Sequence, residues 1–266
     1  MTGVPPAGAH WIIPQWPVSG VVALMTTRQG GVSAPPFDTM NLRCGLGDDP
    51  SAVAHNQAVV ARTIGATPVY LDQVHGTAVV RLTRADASPC ATTHRADASV
   101  TTELGVACAV QVADCIPVLF AAARGRAVGA AHAGWRGLAH GVLEATVAAL
   151  CEAADCGPED VHVWLGPCIG AQRFEVGEDV LRAFGADPAQ PDPQRFTAAQ
   201  PGPPGGPHAN KWLADLAGLA GDRLRRAGVP SVHGGGWCTV SDASRFYSYR
   251  RDGLTGRMAA VIARQP

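Results

Sequence analysis

The 266-residue chain holds a single lysine, Lys211, so nearly all of its positive charge is guanidinium. That almost excludes Schiff-base chemistry, whereas arginine can grip phosphate or carboxylate in a bidentate way. Charge of either sign is scarce: charged residues make up 16% of the chain and the formal net charge is -1. This balance gives no electrostatic case for nucleic acid or an anionic membrane as main partner, and a small neutral or mildly anionic ligand is expected instead. No segment approaches the roughly 20 apolar residues of a membrane span, and Met1 to Gly20 has neither a basic start nor an uninterrupted apolar stretch. A cytoplasmic setting is expected, in which the eight cysteines persist as thiols. Cys44, Cys90, Cys108, Cys151, Cys156 and Cys168 read as small buried hydrophobes, with Cys238 left open.

Two catalytic motifs are missing as well. His233-Gly234-Gly235-Gly236 has no Gly-x-Ser-x-Gly elbow to accompany it, which argues against an α/β-hydrolase. Lys211 follows Asn210 and precedes Trp212, so there is no Walker phosphate loop.

What is present is apolar and interleaved. Hydrophobic residues make up 47% of the chain, enough for a large core in one big domain or two tightly joined halves. Val21 to Met25 reads as a buried strand, and Asp48 to Gly65 as a helix with Asp49-Pro50 at its start and Gly65 as its stop. Leu138 to Cys156 has helical spacing, and Val161 to Leu165 returns to strand. Trp212 to Ala227 reads as an amphipathic helix, with Phe246 to Arg251 and Met258 to Ile262 as closing strands. Between them, residues 187–209 carry seven prolines amid glycines and are expected to form an irregular surface excursion. Interleaved strands and helices without strict βαβ regularity predict an α/β or α+β fold with a mixed sheet.

The chemistry is concentrated in three segments: Gln73-Val74-His75-Gly76, Ala113-Asp114-Cys115-Ile116-Pro117 and His132-Ala133-Gly134-Trp135-Arg136-Gly137. Each places a metal-competent or nucleophilic side chain where an apolar run begins or ends. Two imidazoles and a thiolate suit zinc, and three protein ligands leave a fourth position for water or substrate. Spacings of 40 and 17 residues match no local zinc hook, so the ligands must meet through the fold. Taken alone, His75 could be a turn histidine bonded to backbone, and Asp114-Cys115 a strand-edge cap before a buried cysteine. Arg28, in Thr26-Thr27-Arg28-Gln29-Gly30-Gly31, can contact a ligand where paired glycines permit close approach. Arg136 beside the helix that follows His132 could make a phosphate pocket, and Arg250-Arg251 beside Tyr247 and Tyr249 could bind an anion.

At these residues the sequence resembles the laccase-domain family, long labelled multicopper polyphenol oxidases and associated with purine nucleoside phosphorylase and adenosine deaminase activity, and with peptidoglycan editing. The matching stretches include Thr26 to Ser33, Asn41-Leu42, Asp72 to Gly76, Ala96-Asp97-Ala98, Ala113-Asp114-Cys115, His132 to Gly137, Leu165-Gly166-Pro167 and Ser248 to Arg251. The resemblance implies one laccase-like domain over residues 1–266, with layered sheets, flanking helices and two related α/β halves. It implies zinc, with copper as the alternative, on His75, Cys115 and His132. It further implies phosphorolysis of adenosine, inosine, guanosine and methylthioadenosine, together with adenosine deamination. The catalytic set expected is Cys115, His75, His132 and Asp114, and the expected substrate and phosphate contacts are Arg28, Asn41, Gln73, Arg136 and Arg250. Asp114, Asp97 and Glu175 are the motif carboxylates able to shuttle protons, and the sequence does not choose among them. The chain has no His-x-His pair, so the strict multicopper label fits poorly. Three rivals stay open: a metal-free hydrolase with Cys115 as nucleophile and His75 or His132 as base, a copper-binding phenol oxidase, and editing of cell-wall precursors.

Overall fold

The computed structural model describes residues 10–87, 93–199 and 211–266. In chain order it runs β1 (Val21–Met25), α1 (Pro50–Ile64), β2 (Thr67–Val69), β3 (Val79–Leu82), β4 (Ala98–Thr101), β5 (Val106–Val112), β6 (Ile116–Ala122), β7 (Val128–Ala133), α2 (Trp135–His140) and α3 (Val142–Ala154). It continues with β8 (Val161–Leu165), β9 (Glu175–Val176), α4 (Glu178–Ala183), β10 (Phe196–Ala198), β11 (Trp212–Ala214), α5 (Leu216–Arg226), β12 (Ser231–Gly234), α6 (Tyr249–Asp252) and β13 (Met258–Arg264). None of the described helices is long and apolar enough to cross a membrane.

Two mixed sheets carry the fold. A four-stranded sheet runs in the order β1-β13-β5-β2 and a six-stranded sheet in the order β12-β8-β6-β7-β4-β3. Parallel pairs β12/β8, β2/β5 and β3/β4 sit beside antiparallel ones, so the expected mixed α/β class holds. Strand alternation sorts the residues into layers. On β5 and β13, Cys108, Val110, Met258 and Ile262 turn toward the second sheet and meet Leu119, Val128, Ala130 and Trp164 there. Ala107, Ala109, Ala259 and Val261 turn the other way onto Val60 and Ile64 of α1. The outer face of the six-stranded sheet, Val118, Phe120 and Val163, packs on Leu143, Val147 and Leu150 of α3 and Leu219 and Leu224 of α5. Strands covered on both faces read as nearly unbroken apolar runs, as β6 and, up to Ala263, β13 do, and β5 departs from this only at Gln111.

Local chemistry sets the boundaries of α1: Asp49 accepts a hydrogen bond from Ser51 N at 2.8 Å, Pro50 opens the helix, and Gly65 closes it at φ 69. Four expectations need correction. The helix expected over Leu138 to Cys156 is two helices, broken where Gly141 takes φ 98. The helix expected from Trp212 starts only at Leu216, because Asp215 caps it through Gly218 N at 2.9 Å. Residues 212–214 instead form β11, between β10 and β9. The excursion over 187–209 therefore contains regular structure, since its proline-free stretch Phe196–Ala198 pairs with β11. Its residues from 200 onward, like Cys90 and His208, lie outside the described residues. The strand expected over Phe246 to Arg251 is absent: Phe246 and Tyr247 are buried loop residues, and Ser248 caps the short α6 through Arg251 N. The cysteines divide likewise. Cys108 and Cys168 are buried, Cys151 and Cys156 are half-buried, and Cys44 is exposed in a loop where Gly45 and Gly47 take positive φ. The half-buried Cys238, left open above, takes a hydrogen bond on its sulfur from Gly170 N at 3.2 Å.

Candidate metal centre

A buried carboxylate organises the site. Asp97 immediately precedes β4 and is 0% exposed. Its two oxygens accept from the backbone N–H groups of Val74 (3.1 Å), His75 (2.9 Å) and Gly76 (2.7 Å), and from His132 Nδ1 (2.8 Å). Burial by itself pushes the Asp97 carboxyl up, but the bonds from His132 and the loop amides outweigh it and hold it below the usual carboxylate range. An ionised carboxylate only accepts, so Nδ1 of His132 is the donor and Nε2 is left free to ligate. With four donors around it Asp97 is a brace for both segments. The same bonds hold the 74–76 loop in a conformation that gives His75 a left-handed φ of 61.

Cys115 enters from the other side. Asp114, at φ 96, forms the turn into β6, and three contacts pin it. Its carboxylate accepts from Thr239 Oγ1 at 2.5 Å and Arg250 N at 2.7 Å, and its carbonyl accepts from Ile169 N at 2.9 Å. The thiol is thereby set 3.7 Å from His75 Nε2. The two imidazoles meet edge to face with centroids 4.8 Å apart. Gly134 makes room for the cluster, since a Cβ there would lie 2.5 Å from His75 Cδ2 and 3.0 Å from Cys115 Sγ.

One ligand atom from each of His75, Cys115 and His132 lies within 4.8 Å of the others. Burial raises the Cys115 thiol, but His132 and His75 reverse the shift and bring it down to about 6. In His132 burial opposes the charged form, and the Cys115 thiolate and Asp97 raise it above the ordinary histidine value. Such a set fits a borderline-soft ion: two nitrogens and one sulfur, with the 3.7 Å sulfur-to-nitrogen separation near the roughly 3.5 Å edge of a zinc tetrahedron.

The three ligands line a cavity of about 370 Å³, which Arg43, Gln73, Gln111, Tyr249 and Arg257 also line. Cys115 also borders a smaller hollow of about 150 Å³, walled by Asp114, Trp135, Ile169, Phe174, Leu216 and Arg250. Tyr249 and Cys115 border both.

The expected substrate contacts fall in different places. Gln73 lines the larger cavity, but its amide is engaged twice with the backbone of Gln111, at 2.8 Å each. Arg250 lines the smaller hollow, over the Phe174 ring at 5.6 Å and bonded to the Glu175 carbonyl at 3.2 Å. Arg136 is exposed and lies 4.3 Å above the Trp135 ring. Arg28 is engaged by Asp38 and by the carbonyls of Asp38 and Ala243. Asn41 is fully buried, with both amide hydrogens donated and Oδ1 accepting twice. Arg43, Gln111, Tyr249 and Arg257 went unnamed as contacts in the sequence. Tyr249 lay inside a quoted motif and Arg43 one residue after another, whereas Gln111 and Arg257 carry no local signal.

Comparison with known proteins gives the family. The family described as Multi-copper polyphenol oxidoreductase laccase matches residues 22–265. The chain is 47% identical to purine nucleoside phosphorylase PA4543 of Pseudomonas aeruginosa, over 95% of this chain and 97% of that protein. It is 45% identical to purine nucleoside phosphorylase YfiH of Escherichia coli, over 94% and 97% respectively. Its structure superposes on that of NMB0706 from Neisseria meningitidis with a TM-score of 0.84 at 44% identity, covering 96% of this chain and 99% of that one. With a family match over nearly its whole length and relatives this similar, the chain belongs to the laccase-domain family.

Proposed function

We propose that this protein is a zinc-dependent purine nucleoside phosphorylase that accepts adenosine, inosine, guanosine and methylthioadenosine, and that it also deaminates adenosine. The observation that carries the reading is the convergence of His75, Cys115 and His132 on the wall of a cavity of nucleoside size. The names of its relatives supply the reaction class.

In phosphorolysis a phosphate oxygen forms a bond to the sugar C1′ as the C1′–N9 bond breaks. The purine leaves with that electron pair and takes up a proton, giving free base and sugar 1-phosphate. In deamination, water replaces the 6-amino group and ammonia leaves, giving inosine. When bound, zinc supplies Lewis-acid polarisation and lowers the proton affinity of water or of a substrate atom it touches. The protein's own part is placement. Asp97 fixes the tautomer of His132 and the loop of His75, while Thr239, Ile169 and Arg250 N hold Asp114 so that Cys115 faces both imidazoles. The apolar hollow beside Cys115, with Trp135 and Phe174, is suited to a flat purine ring.

Adenosine incubated with the purified protein, with and without phosphate, tests the reading by product chromatography. Adenine and ribose 1-phosphate are expected only with phosphate, and inosine in both samples. Adenosine left intact by zinc-loaded protein would overturn the assignment.

One observation favours a second reading. A thiol brought down to about 6 beside His75 is a competent nucleophile without any metal. Full activity in chelator-stripped protein would support that reading, and activity that returns only with zinc would remove it.

A further inference from the structure

The larger cavity carries two guanidinium groups and no carboxylate in its lining. Arg43 and Arg257 both line it, together with Gln73, Gln111 and Tyr249, and no aspartate or glutamate does. Among the described residues neither guanidinium forms an ion pair with a carboxylate, although most other arginines involved in close contacts here do.

Their placement is built rather than accidental. The two residues lie 214 positions apart, and one buried side chain joins them: Asn41 Oδ1 accepts from Arg43 N at 3.1 Å and from Arg257 N at 2.9 Å. Its amide donates to Arg43 O at 3.1 Å and to Asp48 Oδ2 at 2.9 Å, which uses the whole hydrogen-bonding capacity of the group. Arg257 is further fixed through Nη1, which donates to the carbonyls of Thr255 (2.8 Å) and Gly256 (3.1 Å). Those bonds restrain the guanidinium without neutralising it. Burial and the neighbouring Arg43 lower the proton affinity of Arg257, and nearby Cys115 and Asp114 offset that only in part. A protein that holds two like charges together around a cavity gains by binding an anion between them, and planar guanidinium forks match phosphate oxygens in particular.

We propose that Arg43 and Arg257, braced by Asn41, form a phosphate-binding subsite in the wall of the His75, Cys115 and His132 cavity. As a site for the attacking phosphate this rests on the phosphorylase reading. The shared chemistry is a dianionic phosphoryl group, which could come from free phosphate or from a nucleotide, and the experiment separates the two.

Calorimetric titration of zinc-loaded full-length protein with inorganic phosphate, and separately with adenosine 5′-monophosphate, is the test. The wild type is compared with Arg43→Gln, Arg257→Gln and Arg43→Lys, and with Arg182→Gln as a control for net charge. Arg182 sits in an exposed ion pair with Glu178. Loss of a charge-assisted contact is expected to weaken phosphate binding about ten- to a hundredfold in either glutamine variant. Arg43→Lys, which keeps the charge but loses the fork, should fall between, and Arg182→Gln should stay within about twofold. Thermal unfolding of each variant identifies any loss due to misfolding, and Arg43→Lys gives a second, milder measure of the same contact. Weakened binding of the nucleotide with no binding of free phosphate would keep the subsite and count against the phosphorylase reading. Phosphorolysis with an unchanged phosphate affinity in both glutamine variants would overturn the subsite and leave the phosphorylase reading standing. A wild type that binds neither ligand would overturn the subsite as well.

Discussion

His132 presents its Nδ1 to the buried carboxylate of Asp97 at 2.8 Å, and the same oxygen accepts the backbone N–H of His75 at 2.9 Å. One side chain therefore sets both imidazoles of the metal-competent cluster. Substituting Asp97 by Asn keeps the shape but loses the charge and replaces one acceptor by a donor. Zinc affinity is expected to fall about 10- to 100-fold, as for partners of ligating histidines generally. Competition against a chromophoric chelator measures it, and an affinity equal to the wild type would show that the carboxylate does not orient the ligands.

The Cys115 thiol provides a pH signature in metal-stripped protein. With its value brought down to about 6, raising the pH from 5 to 7 converts thiol to thiolate, so its alkylation by iodoacetamide should climb through that range. An ordinary thiol, near about 8.5, would climb later. Removing the cation in His132→Gln should move the profile to higher pH, and zinc should suppress labelling. Peptide mapping by mass spectrometry reads all three. A Cys115 profile centred near the ordinary thiol value would contradict the arrangement.

Gly134→Ala tests the space at the cluster. The added methyl would fall 2.5 Å from a ring carbon of His75 and 3.0 Å from the Cys115 sulfur, so at least one ligand must shift away from the position that converges on one ion. The purified variant is expected to hold much less zinc by elemental analysis while keeping a folded circular-dichroism spectrum. Wild-type zinc content would mean that the loop yields easily.

Asn56 offers a test of stability away from the chemistry. It is fully buried in α1, donates to Ser33 Oγ, Thr39 O and Asn41 O, and accepts from Val32 N. Asn56→Ala leaves those groups without their partner, and unfolding in urea should show a loss of about 2–3 kcal/mol, at the upper end of the cost of unmet buried polar groups. A smaller loss would indicate that water enters the space.

Much of the fold could be read locally. Largely apolar runs placed β1, β8 and β13, and Asp49-Pro50 with Gly65 delimited α1, because burial and helix capping both leave marks within a few residues. The reading of Trp212 as helical failed for a non-local reason: β10 and β9 claim residues 212–214 as a strand, and Asp215 caps the helix after them. Phe246 and Tyr247 look like strand residues because they are apolar and buried, but they fill the space between the two sheets without pairing.

The sequence alone determined which residues could carry chemistry. His75, Cys115 and His132 stood out because each interrupts or ends an apolar run next to glycine or a turn, and that is a property of neighbours in the chain. It could not decide what any polar side chain was for. Asn41, for instance, resembles a ligand contact in one dimension, yet folding commits both its amide hydrogens and its oxygen to Arg43, Asp48 and Arg257. Arg257 has no local distinction and Arg43 merely adjoins a motif, and it is the pairing of their two chain segments, through Asn41 and the Leu42 N to Arg257 O bond, that brings them to one cavity. The physical reason is saturation. A hydrogen-bonding group is free to act on a ligand only if the tertiary structure leaves it unspent, and the partners that spend it are remote in sequence.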